Sequence, residues 1–345
     1  MADATGTGGA DMSERAAKLA AFLNSAGWGA AVRVPLAGDA SFRRYDRLRL
    51  DGQTAVLMDA PPPHNDVRPF LAIDSVLRNY GLSAPEVLSA DEEAGLVLLE
   101  DLGDDTYGRM LAHGGDEGQL YRLAVDTLIH LHRNFRPERT GIGVFDEARA
   151  LREVELLLDW YWPSLTGKPP DAALRNSYRA AWRSVLPARD AAPRTLALFD
   201  FHIDNLMLLA ERSGIAACGV LDFQDAVLGP VSFDLVSLLE DARRDVPVAL
   251  GEELIEHYLD AFPELDEGAF RISYAVIGAQ RSTRIIGTFS RLKLRDSKPG
   301  YLAHIPRVWR WLGQDLKHPA LAPIAKWFDR HIPPDRRIVP PALAA

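Results

Sequence analysis

The segment "LALFDFHIDNLMLL", residues 196–209, places polar side chains between two apolar runs. The runs 195–199 and 206–209 are short, apolar and bounded by polar residues, which predicts two buried strands. Four polar side chains then occupy the turn between them: Asp200, His202, Asp204 and Asn205. Asp and Asn form good turns in their own right, so the meaning of this turn depends on the rest of the chain.

Length and composition indicate an ordinary globular protein. The chain has 345 residues, which favours one large or two medium domains. Hydrophobic residues make up 47% of it and charged residues 25%, enough to bury a core without covalent staples. The single cysteine, Cys218, excludes a disulfide within the chain and fits a reducing compartment.

Charge and hydropathy disfavour two classes of partner, nucleic acid and membranes, although a local basic patch stays open. The net charge of −9 and the pI of about 5.5 disfavour a general affinity for nucleic acid. No apolar run approaches the roughly 18–20 residues that span a bilayer. The start "MADATGTGGADMSE" lacks the basic and apolar regions of a secretion signal, which predicts a disordered tail over residues 1–12. We therefore expect a cytoplasmic protein with neither nucleic-acid nor membrane partners.

Two kinds of sequence follow the tail and predict two lobes. Residues 13–103 contain a helix capped by Ser13, short β-rich segments such as "FRRYDRLRL" and "TAVLMDA", and a helix that ends at Gly81. Residues 104–345 show mostly helical spacing. The predicted fold is α+β, with a small antiparallel-sheet lobe before a large, mainly helical lobe. The junction, "LLEDLGDD", is a natural place for a ligand.

A second polar loop completes a candidate site. Asp200 and Asn205 are five positions apart, and Asp222 ends another apolar strand in "CGVLDFQD". If these strands are neighbours in one small sheet, two carboxylates and one amide converge. Mg²⁺ favours such oxygen ligands together with substrate phosphates. The spacing D-x-x-x-x-N with a later Asp is that of a kinase catalytic loop, so these residues predict Mg²⁺-dependent phosphoryl transfer.

The chain resembles the aminoglycoside phosphotransferase family, which is related to protein kinases and choline kinases. The matching segments are "LFDFHIDNLML", "GVLDFQDAVLGPVSFDLVSLLED" and "LVLLEDLGDD". Further segments, among them "VLMDAPPP" and "AQRSTRIIGTFSRL", are similar to one branch of the family, the anomeric sugar kinases of bacterial cell-wall recycling. The resemblance covers residues 15–331 and implies a protein-kinase-like two-lobe fold. It also implies ATP and Mg²⁺ as cofactors, and N-acetylmuramate or N-acetylglucosamine as a substrate phosphorylated at O1.

The resemblance implies a role for each matching residue. Asp200 would be the catalytic base, while Asn205 and Asp222 would hold Mg²⁺. Asp234 would brace the catalytic loop, and the backbone between Glu100 and Leu102 would bind adenine. The loop "GDAS" would cover the ATP phosphates with Gly38, Asp39, Ala40 and Ser41.

The chain departs from the family pattern at three places. Leu198 stands where the family has a bracing His, and "GDAS" is poor in glycine. Met58 stands where the third strand usually carries a Lys that pairs with the ATP phosphates. Arg43 and Arg44 follow the phosphate loop and are the nearest substitutes for this Lys, although both also fit solvated charges at a strand edge.

The substrate residues and the exact activity are left open by the sequence. The candidates for binding sugar hydroxyls are His202, Asp204, Gln224 and Asp225. One alternative is a kinase of choline, homoserine or an aminoglycoside. Another is a catalytically silent, kinase-like binding protein, which the missing Lys at Met58 motivates.

Overall fold

The computed structural model describes residues 7–36, 43–63, 65–137 and 141–344, with side chains from Ser13 to Leu343. The chain divides into two compact units, Met1–Asp104 and Asp105–Ala345. In the described ranges we find no helix both long and apolar enough to cross a membrane.

The first unit is built on one antiparallel sheet. Its elements are α1 (Thr7–Ser25), β1 (Val32–Pro35), β2 (Arg44–Leu50), β3 (Gln53–Asp59), α2 (Arg68–Asn79), β4 (Val87–Asp91) and β5 (Leu96–Glu100). The strand order is β1-β2-β3-β5-β4, and every neighbouring pair is antiparallel. The predicted antiparallel sheet is therefore confirmed.

The core of this unit lies between the sheet and α1. Alternate residues of β3, Ala55 and Leu57, are fully buried because successive side chains of a strand point to opposite faces. They belong to one apolar cluster with Leu19, Phe22 and Leu23 of α1. Helix α1 begins at Thr7 rather than at Ser13, so residues 7–12 are helical where the sequence predicted a tail. Ser13 therefore does not cap the helix, while residues 1–6 of the predicted tail lie outside the described ranges.

The second unit is mainly helical, as predicted. Its helices are α3 (Tyr107–Ala112), α4 (Glu117–Asn134), α5 (Glu147–Leu156), α6 (Trp162–Thr166), α7 (Ala172–Val185), α8 (Phe233–Leu239), α9 (Val248–Asp260), α10 (Glu267–Leu294), α11 (Ile305–Asp315), α12 (Ala322–His331) and α13 (Pro341–Ala344). Its strands are β6 (Arg194–Ala197), β7 (Leu206–Leu208), β8 (Cys218–Val220) and β9 (Val227–Pro230). A π-helical segment, Leu157–Tyr161, joins α5 to α6.

Aspartates fix where four of these helices begin. A side-chain oxygen of the N-cap Asp accepts the backbone N–H three residues later in α4, α5, α7 and α10. Each bond satisfies one of the donors that a helix start leaves unpaired, and the negative charge suits the positive end of the helix dipole.

Helix α10 is the centre of the second unit. From Ala275 to Leu292 nearly every residue is buried, and the helix passes directly against the π-helical segment. Gly287 makes this approach possible, because a Cβ there would lie 2.3 Å from the carbonyl carbon of Leu156 and 2.5 Å from the backbone nitrogen of Leu157. Backbone atoms cannot swing aside as a side-chain tip can, so the crossing needs glycine.

We predict that Gly287→Ala lowers the free energy of unfolding by about 1–3 kcal/mol, since overpacking a rigid contact forces the backbone to shift. The matched control is Gly313→Ala in α11, where a Cβ would meet no atom within 4 Å. There, alanine should raise stability by up to about 1 kcal/mol through helix propensity alone. Chemical denaturation of the three proteins checks this, and equal stability of the two variants would contradict the proposed crossing.

Candidate active site

Strand pairing brings the two polar loops together. β7 pairs with β8 so that Leu206 lies opposite Val220, and the N–H of Leu221 donates to the carbonyl of Asn205 at 2.9 Å. Asn205 and Asp222 therefore flank one short ribbon, and the predicted convergence is confirmed. β6, the strand before the first loop, belongs to a separate ribbon in which it pairs with β9. The chain between β6 and β7 includes a helical turn at Ile203–Asn205, so these two strands do not form a hairpin.

A buried carboxylate holds the start of the catalytic loop. Oδ2 of Asp234 accepts the N–H of Leu198 at 2.7 Å, and Oδ1 accepts the N–H of Phe199 at 3.0 Å. Burial raises the pKa of Asp234 to about 7, while the two backbone amides pull it down. The bracing contact expected of Asp234 is confirmed.

The brace supports an unusual backbone conformation at Phe199. Its φ is +78°, in the left-handed region that side chains with a Cβ occupy at a cost of roughly 1–2 kcal/mol. The ring is buried, with its centroid 5.0 Å from that of Phe233, and Oγ of Ser237 donates to the Phe199 carbonyl at 3.1 Å. Packing and hydrogen bonds thus hold a strained turn directly before Asp200.

The amide of Asn205 is held by contacts within the two polar loops. Its Nδ2 donates to the carbonyl of Asp200 at 2.9 Å, which fixes the nitrogen on that side and leaves Oδ1 on the other. The same nitrogen is 3.5 Å from Oδ2 of Asp222, and Nε2 of Gln224 donates to Oδ1 of Asp222 at 2.7 Å. Amide and carboxylate oxygens are ligands that suit Mg²⁺, and here the amide nitrogen of Asn205 is the atom that faces Asp222. Gln224, predicted to contact substrate, bonds to the candidate metal ligand here.

His202 lies under the loop rather than in solvent. It is 5% exposed, and its Nε2 is 3.3 Å from Nδ2 of Asn205. Burial lowers the pKa of His202 well below its usual value, and the charges of nearby arginines lower it further. The ring is therefore neutral, and Nε2 can accept a hydrogen bond from the amide of Asn205.

Three arginines surround the loop, and the sequence patterns did not single them out. Nη2 of Arg284 is 3.4 Å from Oδ1 of Asp200, and its guanidinium lies 4.3 Å from the ring centroid of Phe199. Arg281 is 2% exposed and donates to the carbonyl of Glu240 at 3.3 Å. Arg243 pairs with Asp204, Nε to Oδ2, at 3.1 Å. For Arg281 and Arg284, the sequence offered one signal: two arginines three residues apart in the segment "AQRSTRIIG".

The other predicted substrate residues differ in their surroundings. Asp204 is exposed and forms an ion pair with Arg243. Asp225 is also exposed and lies three residues after Asp222. Both stay predictions as ligands of a sugar.

The predicted nucleotide residues belong to the first unit. Met58 is fully buried and pairs across the sheet with Tyr45 and Val97, while Arg43 is half-buried and Arg44 is exposed opposite Asp59. The phosphate-loop residues lie outside the described ranges: Gly38, Asp39, Ala40 and Ser41.

The segment after β5 is held by charge. Arg47, whose side chain is 11% exposed, pairs through Nε with Asp101 and through Nη1 with Asp104, both at 2.8 Å. The backbone N–H of Glu100 donates to the carbonyl of Glu86 at 2.8 Å, and Leu102 is half-buried. The backbone predicted to bind adenine is therefore fixed within its own unit.

Comparisons with known proteins agree on a family. The profile of the Phosphotransferase enzyme family matches residues 32–270, more than half of the chain. The chain is 38% identical to the N-acetylmuramate/N-acetylglucosamine kinase of Caulobacter vibrioides, over 94% of this chain and 99% of that protein. It is 35% identical to the kinase of the same name from Pseudomonas aeruginosa, over 87% of this chain and 89% of that protein.

Solved structures support the fold. A choline/ethanolamine kinase family protein from Mesorhizobium loti matches with a TM-score of 0.60 at 17% identity, covering 91% of this chain and 99% of that one. The GDP complex of aminoglycoside 2'-phosphotransferase-IIIa matches with a TM-score of 0.58 at 15% identity, covering 87% and 97%. At such low identity these likenesses show the fold alone, and they confirm the predicted kinase-like fold.

The strain at Phe199 predicts that glycine is a less destabilising replacement than alanine, the reverse of the usual order. Phe199→Ala and Phe199→Gly should both lower stability, because each loses a buried ring worth about 3–5 kcal/mol. The Gly variant should nevertheless be about 1 kcal/mol more stable than the Ala variant, since only glycine adopts a positive φ freely. Chemical denaturation of the two variants checks this. An Ala variant as stable as the Gly variant would show that the turn is not strained.

Proposed function

The chain belongs to the phosphotransferase enzyme family, and from this premise we propose that it is an ATP- and Mg²⁺-dependent kinase of N-acetylmuramate or N-acetylglucosamine. The observation that carries the proposal is the near full-length similarity to two kinases of these sugars. We further propose that the phosphoryl group goes to the anomeric oxygen, so that the product is a sugar 1-phosphate. Such an enzyme serves the recycling of cell-wall sugars in the cytoplasm.

Asp200 is the proposed general base. Its side chain is one-third exposed, and its backbone is fixed from both sides by the Asp234 brace and by the amide of Asn205. A carboxylate so held accepts the proton of an attacking hydroxyl without rearrangement. The anomeric hydroxyl is the most acidic hydroxyl of a free sugar, which suits a carboxylate as base.

Asn205 and Asp222 are the proposed metal ligands. They would hold a Mg²⁺ ion, which supplies positive charge against the ATP phosphates when it is bound. Oδ1 of Asn205 and the carboxylate of Asp222 would supply the oxygen donors, and Gln224 limits the rotation of Asp222 by donating to it. The residues of the chain thus contribute position and charge, which provide most of the catalysis in phosphoryl transfer.

The charge around the loop supports a sugar over the alternative acceptors. Arg243, Arg281 and Arg284 all lie close enough to His202 to depress its pKa. Two of them pair with carboxylates of the loop, Arg243 with Asp204 and Arg284 with Asp200, so a cationic acceptor such as choline or an aminoglycoside would have to compete with these ion pairs. A neutral or anionic acceptor avoids this competition. The intact set of Asp200, Asn205 and Asp222 weighs against a silent binding protein, which has no need of a base and two metal ligands.

The test of the function is ADP release with Mg²⁺–ATP and a panel of acceptors: N-acetylmuramate, N-acetylglucosamine, choline, homoserine and an aminoglycoside. We expect turnover on one or both amino sugars and a product whose phosphate sits on C1 by NMR. Asp200→Asn should lower kcat by about 10²–10⁴-fold, because it removes the proton acceptor but keeps the size. Stabilisation of the variant by Mg²⁺–ATP should be unchanged. Turnover on choline or an aminoglycoside alone would contradict the sugar proposal.

A second prediction addresses the metal. Asp222→Asn should raise the Mg²⁺ concentration for half-maximal activity by at least about tenfold, since a neutral amide binds a hard cation less strongly than a carboxylate. The matched control is Glu211→Gln, the same chemical change on the exposed turn between β7 and β8. Mg²⁺ titrations of the two variants should separate clearly, and coincident curves would exclude Asp222 as a ligand.

A further inference from the structure

One line of side chains on α10 is open to solvent. From Ala275 to Leu292 every residue is buried except Arg284, Thr288 and Arg291. These positions are four and three apart, so they share one face of the helix. Between residues 275 and 292, the only partly exposed face of this helix therefore carries an arginine, a threonine and an arginine.

The first end of this line is at the catalytic loop. Arg284 lies over the ring of Phe199 and within 3.4 Å of Asp200. Arg284 therefore contacts the loop that carries the proposed base. The line runs from that point towards the C-terminal end of α10.

Arg291, at the other end, has no hydrogen-bonded carboxylate among the residues that the structure describes, and Asp296 offsets its charge only from a distance. In the ranges that the structure describes, its guanidinium makes no hydrogen bond or ion pair, and its Nε is buried. The nearest acid, Asp296, is bonded to Arg295 at 2.7 Å. Burial lowers the pKa of Arg291, and the positive charge of Arg295 lowers it further. A half-buried cation without a partner is unfavourable, and a bound anion would remove that cost.

We propose that Arg291 binds a carboxylate of the acceptor, which for N-acetylmuramate is that of its lactyl group. The inference rests on the proposed function and assigns to it a residue that separates the two sugars, since N-acetylglucosamine has no such carboxylate. Arginine presents a planar pair of donors that matches a carboxylate in two parallel hydrogen bonds.

The spacing along the helix fits this assignment. Arg284 and Arg291 are two helical turns apart, about 10.5 Å along the axis, and both side chains are long enough to reach towards each other. With the anomeric hydroxyl at Asp200, the lactyl ether on C3 extends away from the base. Thr288, between the two arginines, offers a hydroxyl to the polar edge of the sugar.

The decisive measurement is the ratio of kcat/KM for N-acetylmuramate to kcat/KM for N-acetylglucosamine. Arg291→Gln should lower this ratio about ten- to hundred-fold, mainly through the KM for N-acetylmuramate, as expected for losing a hydrogen-bonded charge pair. Arg291→Lys should recover part of the loss, because the charge returns without the planar fork. The matched control is Arg271→Gln, which removes the same charge near the start of α10, where Glu252 and Glu267 already pair with it.

The outcomes separate the inference from the function beneath it. If the wild type phosphorylates both sugars and Arg291→Gln leaves the ratio unchanged, the inference is wrong and the sugar kinase stands. The inference is equally wrong if the variant raises the KM for ATP and slows both sugars alike, because Arg291 would then serve the phosphates. Activity of the wild type on N-acetylglucosamine alone also overturns it. A wild type that phosphorylates neither sugar overturns the function and the inference together.

Discussion

The site depends on one carboxylate that accepts two consecutive backbone amides. Asp234 holds the N–H groups of Leu198 and Phe199, and this pair of bonds decides the direction in which the chain leaves β6. Without it, Phe199 would relax from its positive φ, and the next residue, Asp200, would turn with it. The buried carboxylate of Asp234 therefore holds Phe199 in its strained conformation. The carboxylate in turn finds its two hydrogen-bond donors only while Phe199 keeps that conformation.

Helix α10 supplies the second constraint, and the two are coupled. Its glycine at 287 lets it lie against the backbone of the π-helical segment, which fixes its depth in the unit. That depth places Arg284 over Phe199 and beside Asp200, while Arg281 is tied to the carbonyl of Glu240 just after α8, the helix that carries Asp234. The loop is thus held from below by a carboxylate and from the side by guanidinium groups. The carboxylate and the guanidinium groups carry opposite charges.

Local patterns predicted most of the fold and the centre of the site. Alternation predicted the strands of the first unit, and the spacing of Asp200, Asn205 and Asp222 predicted groups that strand pairing does bring together. Sequence could not show that β6 and β7 join different ribbons, since pairing is decided by tertiary packing. The sequence also could not show that Arg284 lies at the catalytic loop, because it is more than eighty residues from Asp200 along the chain. Almost all of α10 is buried, so hydrophobic periodicity does not distinguish a functional arginine from a structural one.

The charge distribution narrows what such a site can accept. The chain as a whole carries −9, yet the groups around Asp200 include three arginines beside the carboxylates of the loop. Two of them are neutralised by carboxylates of the catalytic loop, Arg243 by Asp204 and Arg284 by Asp200. An acceptor that brings positive charge must compete with these pairs, whereas a negative one adds to them. Arg291 lies on the same face of α10 as Arg284. If it binds the anion that we propose, the geometry of one helix sets both where the proposed base is held and which charge of acceptor is favoured.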